Sequence, residues 1–454
     1  MNADHQGKLK ASLKVPGVEY HLNEKASLLM DKRDIKHFIP KVIFFDVYER
    51  HLQPGKTARS YYCFPRRIRD GKCALCVRTF QGDDKAPLRK DQSQFELTFK
   101  STLSSFSLNR FTSNTSSLDL LFGFVTGDIL SHDPFMDTQG PPIVQAFNKM
   151  HHLTDKPIQK LDWIPGKVDL FIASLADGTL LFFDRTIKSE EPISTKNLPK
   201  PLESSQFFSL PGKPKHNPIK QWHIHDSKIR DYSFSPSGSV IALACQDGSL
   251  RFLEWETDKQ LHLSHSYYGG FVCVCWSYDG KFVAAGSEDD LITVWEVEYS
   301  PGTLNSTCRY RGEGHHSWPS CISFDYWLAE EKIYRIGSVG EDGRLCLWEF
   351  NPTVTCSRKR VDSLSGKKSP SQSKLNGNGS SNGKSATKGQ VGMELSEVED
   401  LIPIVSQQIH STPCSAVCFM STTDILTAAW GGEFKYWKKQ ENDLPLNQEE
   451  PPKM

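Results

Sequence analysis

The sequence carries no excess charge of either sign: 54 Lys and Arg stand against 54 Asp and Glu in 454 residues. That balance argues against a chain that holds nucleic acid through a basic field, which needs clustered cations to neutralise phosphates. No apolar run approaches the roughly 20 residues required to cross a bilayer. The opening stretch, MNADHQGKLKASLKVPGVEY, has no apolar core, so a secretory signal is not expected there. The twelve cysteines sit singly or in close pairs inside apolar stretches, without the spaced framework of a small secreted domain. In a reducing compartment such thiols act as small hydrophobes. Also missing are a nucleophile–base pair, a phosphate-binding loop and a complete set of metal ligands. The expectation is a soluble cytoplasmic protein, with the nucleus as a second location. It is expected to have no enzymatic activity, cofactor, metal, nucleic-acid partner or membrane partner.

What is present is repetition. Turn-forming segments line up as DGTLLFF from Asp177, DGSLRFL from Asp247, DDLITVW from Asp289, DGRLCLW from Asp342 and GGEFKYW from Gly431. Three residues on from each start the side chain is apolar, and five and six residues on it is apolar or aromatic. This is period-two strand patterning opened by a tight turn. Upstream lie WIPGK at Trp163, FSPSG at Phe234 and WSYDG at Trp276, each a strand ending in a hairpin turn. The turn starts are 42 residues apart from Asp247 to Asp289 and 53 from Asp289 to Asp342. The period of a four-stranded propeller blade is roughly 40–45 residues. One blade cannot bury both faces, so the repeats must stack into a closed ring. The predicted fold is all-β, a seven-bladed β-propeller.

Blades are expected over about 158–184, 229–256, 271–298, 318–350 and 413–438, with a weaker one near 104–134. The seventh is assigned to residues 35–100, where KVIFFDVYE and QFELTF are strand-like. The corresponding organisation is a poorly structured segment 1–34, propeller 35–351, a disordered insert 352–400, the last blade 401–439 and a flexible tail 440–454. The insert contains SGKKSPSQSKLNGNGSSNGKSATKG and has too few apolar residues to fold. The Pro- and Lys-rich stretch 186–220 reads as a long loop between blades.

Several residues carry chemistry-bearing types. Cys273 and Cys275 share one strand face, but two thiols do not make a zinc site, and Asp289 reads as a turn residue. Cys63, Cys73 and Cys76 would need a fourth ligand such as His51 to hold zinc. Arg358–Lys359–Arg360 and Lys367–Lys368 read as a solvated linker or as an import signal, beside the phosphorylatable Ser369–Pro370. Tyr267, Tyr268, Phe271 and Trp318 lie in the loops entering two consecutive blades, so they share one rim. They are either interface anchors or inward caps on the blade core.

The segment GHHSWPSCISFDYWLAEEKIYRIGSVGEDGRLCLWEF resembles WD-repeat proteins through Gly314–His315, Asp342 and Trp348. The resemblance implies a WD40-type propeller and a hydrogen-bonded tetrad of His315, Ser338, Asp342 and Trp348. It implies a second, incomplete set at His225 and Asp247, where Leu253 replaces the Trp. SYYGGFVCVCWSYDGKFVAAGSEDDLITVWEV and ILTAAWGGEFKYWKK further resemble the branch containing the fungal catabolite-repression protein CreC and its animal relatives. Members of that branch bind and activate ubiquitin-specific cysteine proteases, often beside a second WD-repeat protein. The resemblance therefore implies a non-catalytic deubiquitinase subunit contacting its protease through Tyr268 and Trp318. Tyr268 stands where relatives tend to have Phe. A generic assembly scaffold and a substrate receptor of a cullin-type ubiquitin ligase are the alternatives. The strand ends WETD, WEVE, WEFN and WKKQ lack the Arg expected of such a receptor.

Overall fold

The computed structural model describes most residues between 93 and 440, except 114–116, 134–143, 149–150, 152, 188–205, 210–215, 329–331, 354–397, 421–423 and 431–432. It also describes the backbone of strands Ser12–Val15, Val18–Ser27, Ile43–Val47, Arg59–Arg67 and Cys73–Phe80. Among the described residues there is no α-helix. The strands form seven sheets of four or five strands.

Six sheets repeat one construction, and we number these blades I to VI in chain order. Their first strands are Leu103–Leu108, Ile158–Trp163, Ile229–Phe234, Phe271–Trp276, Pro319–Phe324 and Cys414–Phe419. In every one the register against the second strand slips after the first residue, at Leu103, Ile158, Ile229, Phe271, Pro319 and Cys414. A bulge of this kind re-aims a side chain, and here each of the six leading side chains is buried. Consecutive blades share an apolar core: Leu161 and Phe171 with Leu121, Tyr232 with Phe182, Trp276 with Phe252, Trp348 with Ala284, and Trp437 with Leu347. Packing runs from blade I to blade VI in chain order, as a propeller requires.

The seventh sheet is built from Ile43–Val47, Arg59–Arg67, Cys73–Phe80 and Ser93–Phe99. Its first two strands pair without the register slip. The blades of the repeating type therefore number six, where seven were expected, because this sheet does not share the construction that defines the others.

Four expected assignments change. Residues 1–34 were expected to lack structure, yet Val18–Ser27 pairs with Glu433–Gln440 and completes blade VI, with Ser12–Val15 beyond it. The last blade had no fourth strand of its own, and an unpaired edge is a liability that the opposite end of the chain removes. Glu399–Leu401, placed largely inside the expected insert, runs parallel to the outer strand Thr303–Glu313 of blade IV, with Leu401 buried. Val405–Gln408, assigned to the last blade, is instead the outer strand of blade V, against Arg344–Phe350. The stretch 186–220 also supplies strand, since Gln206–Ser209 pairs with Lys220–His223 on blade II. The basic clusters at 358–360 and 367–368, Ser369 and the tail from 441 lie outside the described residues.

Candidate partner-binding rim

The turn carboxylates act on the backbone. Asp177, Asp247, Asp289 and Asp342 each accept the N–H two residues on, from Thr179, Ser249, Leu291 and Arg344, at 2.9–3.2 Å. The residue after three of them is a left-handed glycine, with φ of 82° at Gly178, 83° at Gly248 and 69° at Gly343. A Cβ on Gly343 would run into the His410 carbonyl. Cys273 and Cys275 pack in the core between blades IV and V. Burial pushes both thiols well above their ordinary range, so neither is poised as a thiolate.

The turns between second and third strands and the loops between blades share one rim. Each such turn donates an N–H to the residue just before a first strand: Gln246 to Lys228, Glu288 to Gly270, Glu341 to Trp318 and Trp430 to Pro413. The loop entering blade IV is SYYGG. Gly269 has φ of 73°, and a Cβ on Gly270 would lie 2.5 Å from the Gln246 carbonyl. The backbone is thereby held tight against blade III, and the two tyrosines are turned outward, Tyr267 59% and Tyr268 75% exposed. Trp318, ending the next loop, is 39% exposed. Phe271 does not join them, because it is the leading bulge residue of blade IV, fully buried with Trp276 and Phe252. Its expected partner-binding role is therefore withdrawn.

Beneath Trp318 the structure brings His315, Ser338, Asp342 and Trp348 together. Trp348 Nε1 donates to Ser338 Oγ at 2.9 Å, Ser338 Oγ lies 2.8 Å from His315 Nε2, and His315 Nδ1 lies 3.2 Å from Asp342. Protonated on both nitrogens, the imidazolium donates through Nδ1 to Asp342 and through Nε2 to Ser338 Oγ. Asp342 also accepts the His316 N–H at 2.8 Å, which fixes the loop carrying Trp318. Burial alone would lower the His315 pKa, but Asp342 and Cys346 together outweigh it and raise it to about 9.

A second tetrad, not read from the sequence, sits in blade VI. His410 Nδ1 lies 2.8 Å from Glu433, and His410 Nε2 and Trp437 Nε1 each lie 3.1 Å from Thr427 Oγ1. In blade III the pair is looser, His225 Nδ1 standing 3.8 Å from Asp247. Nearer the axis, Lys160 bridges Asp231 at 2.9 Å and Asp162 at 3.4 Å, joining the first strands of blades II and III. Among the described residues no group of three or more His, Cys, Asp or Glu is placed to hold a metal ion. The side chains of Cys63, Cys73 and Cys76 lie outside those described.

This is the architecture of a WD40-type β-propeller. The family model described as WD domain, G-beta repeat, matches residues 216–253, from the strand Lys220–His223 of blade II into blade III, and 259–296, from the outer strand of blade III into blade IV. Along most of its length the chain is similar to the UBP9-binding protein bun62 of Schizosaccharomyces pombe. The two are 27% identical over 439 residues, covering 89% of this chain and 75% of the relative.

Proposed function

We propose that this chain is a non-catalytic subunit that binds a ubiquitin-specific protease and raises its activity. The observation that carries the reading is the exposed aromatic set Tyr267, Tyr268 and Trp318 on a rim fixed by backbone hydrogen bonds. Rigid exposed aromatics are what protein interfaces use as anchors. The similarity to a protein named for binding UBP9 supports the class of partner, in agreement with the resemblance of the rim motifs. Activation follows if the propeller binds the active arrangement of the protease more tightly than the inactive one. A tenfold gain needs only about 1.4 kcal/mol of differential binding. We further propose that the sheet Ile43–Phe99 closes the ring as a seventh blade. In support, Leu75 is buried with Leu103, Phe106 and Phe122 of blade I, and Phe99 lies 4.9 Å from Phe122.

The test is ubiquitin-cleavage kinetics of ubiquitin-specific proteases with and without this protein, beside a folded Tyr268→Ala/Trp318→Ala variant. Stimulation by the wild type that the variant loses is the expected result. Stimulation by both would remove the interface from this rim, and stimulation by neither would remove the function.

A further inference from the structure

We propose that Arg230 and Glu288 are positioning residues that set the relative placement of Tyr268 and Trp318, taking over in blade IV the work that a histidine does in blades V and VI. The inference rests on the interface reading above and deepens it.

The argument begins with register. His225, His315 and His410 each stand four residues before a leading bulge residue, Ile229, Pro319 and Cys414. The same count back from Phe271 reaches Tyr267, so the loop entering blade IV has a tyrosine in the histidine place. That tyrosine is 59% exposed, whereas His315 and His410 are buried. Correspondingly, Trp295 of blade IV gives its indole N–H to Thr293 Oγ1 at 3.1 Å with no imidazole in the chain of bonds. The loop that presents Tyr267 and Tyr268 is therefore without the internal anchor that holds the loop of Trp318.

Glu288, in the adjacent turn of blade IV, supplies a different one. Its Oε2 accepts the Gly270 N–H at 2.9 Å, and its Oε1 meets Arg230 Nη2 at 2.5 Å. Burial works against the charged carboxylate, but the Gly270 N–H and Arg230 hold its pKa below the ordinary range. Arg230, from the first strand of blade III, in turn places its guanidinium 5.6 Å from the Trp318 ring centroid, within reach of a cation–π contact. One carboxylate thus grips the loop of Tyr268, and through one guanidinium it faces the ring of Trp318. Both side chains are mostly buried, 17% exposed at Arg230 and 22% at Glu288. They sit behind the anchors, in a place suited to supporting them.

The experiment titrates the catalytic domain of a ubiquitin-specific protease that the wild type stimulates. The titrated variants are Glu288→Gln, Arg230→Ala, Trp318→Ala, Arg230→Ala/Trp318→Ala and the double aromatic variant. Each is first checked for an unchanged melting transition, with Arg230→Lys, which loses the planar stack, replacing Arg230→Ala if the latter fails to fold. Glu288→Gln and Arg230→Ala are expected to weaken binding about tenfold each, within the usual range of coupling between contacting residues. Arg230→Ala is expected to add less than about twofold once Trp318 is gone, the non-additivity of residues acting through one another. Without the protease, the ¹⁹F resonance of 5-fluorotryptophan at position 318, assigned with Trp318→Phe, should shift in Glu288→Gln while that of Trp437 stays. Effects that multiply in the Arg230/Trp318 pair would mean that Arg230 touches the protease independently, overturning the positioning role. Full binding by Glu288→Gln and Arg230→Ala, with loss only in the aromatic variant, would overturn this inference and leave the interface. Full binding by every variant would overturn both.

Discussion

At the scale of the residue, Phe271 shows how far position in a repeat outweighs residue type. Next to two exposed tyrosines and two glycines it reads as a third rim aromatic, but the bulge that opens each first strand turns it into the core. The same slip buries Ile158 and Ile229. Phe271→Ala is accordingly expected to cost about 3–5 kcal/mol of stability, as truncation of a buried aromatic does. Binding of a protease by the folded fraction should be unaffected. Chemical denaturation paired with binding measured well below the transition would check this, and a stable variant with weak binding would contradict it. The rim pair itself was legible in the sequence because aromatics beside Gly-Gly and before Pro sit in loops. Phe271 was misplaced because a one-residue slip reverses the face on which every earlier strand residue points.

At the scale of the element, a blade is held by how its entering loop is tied to its own turn. In blade V the tie is the chain from Trp348 through Ser338 and His315 to Asp342, and its strength depends on pH. The folded-state pKa of His315 is raised to about 9 from an ordinary 6.5. Its contribution is thus fully present below pH 6.5 and fades as the pH rises through 9, with a slope of at most about 1.4 kcal/mol per pH unit. Asp342→Asn is expected to flatten stability over that window. It should also lower stability below pH 6.5 by about 1–3 kcal/mol, the usual cost of leaving a buried polar group unsatisfied. Urea midpoints from pH 6 to 9.5 for both proteins would decide it, and parallel curves would assign the slope to other groups. The blade V set could be read from Gly-His and Asp-Gly at family spacing. The blade VI set could not, because its acid is Glu433, two residues past the Gly431 that occupies the usual turn position.

At the scale of the whole molecule, the completion of blade VI was the least legible feature. A repeat announces itself because its pattern recurs, whereas a closing strand pairs once, with a partner at the far end of the chain. Val18–Ser27 carries no turn motif, and Ala26 finds Phe434 across 408 positions, the difference of the two numbers. Removal of residues 1–27 is expected to leave Glu433–Gln440 as an open edge. Tm should fall by roughly 5 °C or more, and the protein should begin to self-associate. Differential scanning calorimetry with light scattering would show it, and an unchanged, monomeric melt would make the N-terminal strands dispensable.

The closing pair also orders events during synthesis. At about 5–20 residues per second, the 408 positions between Ala26 and Phe434 take roughly 20 to 80 s to translate. Through that interval the inner strands of blades I to V can assemble from segments near one another in the chain, while Val18–Ser27 waits for Glu433–Gln440. The strand Val18–Ser27 is therefore the part that needs protection from other chains until Glu433–Gln440 has been made.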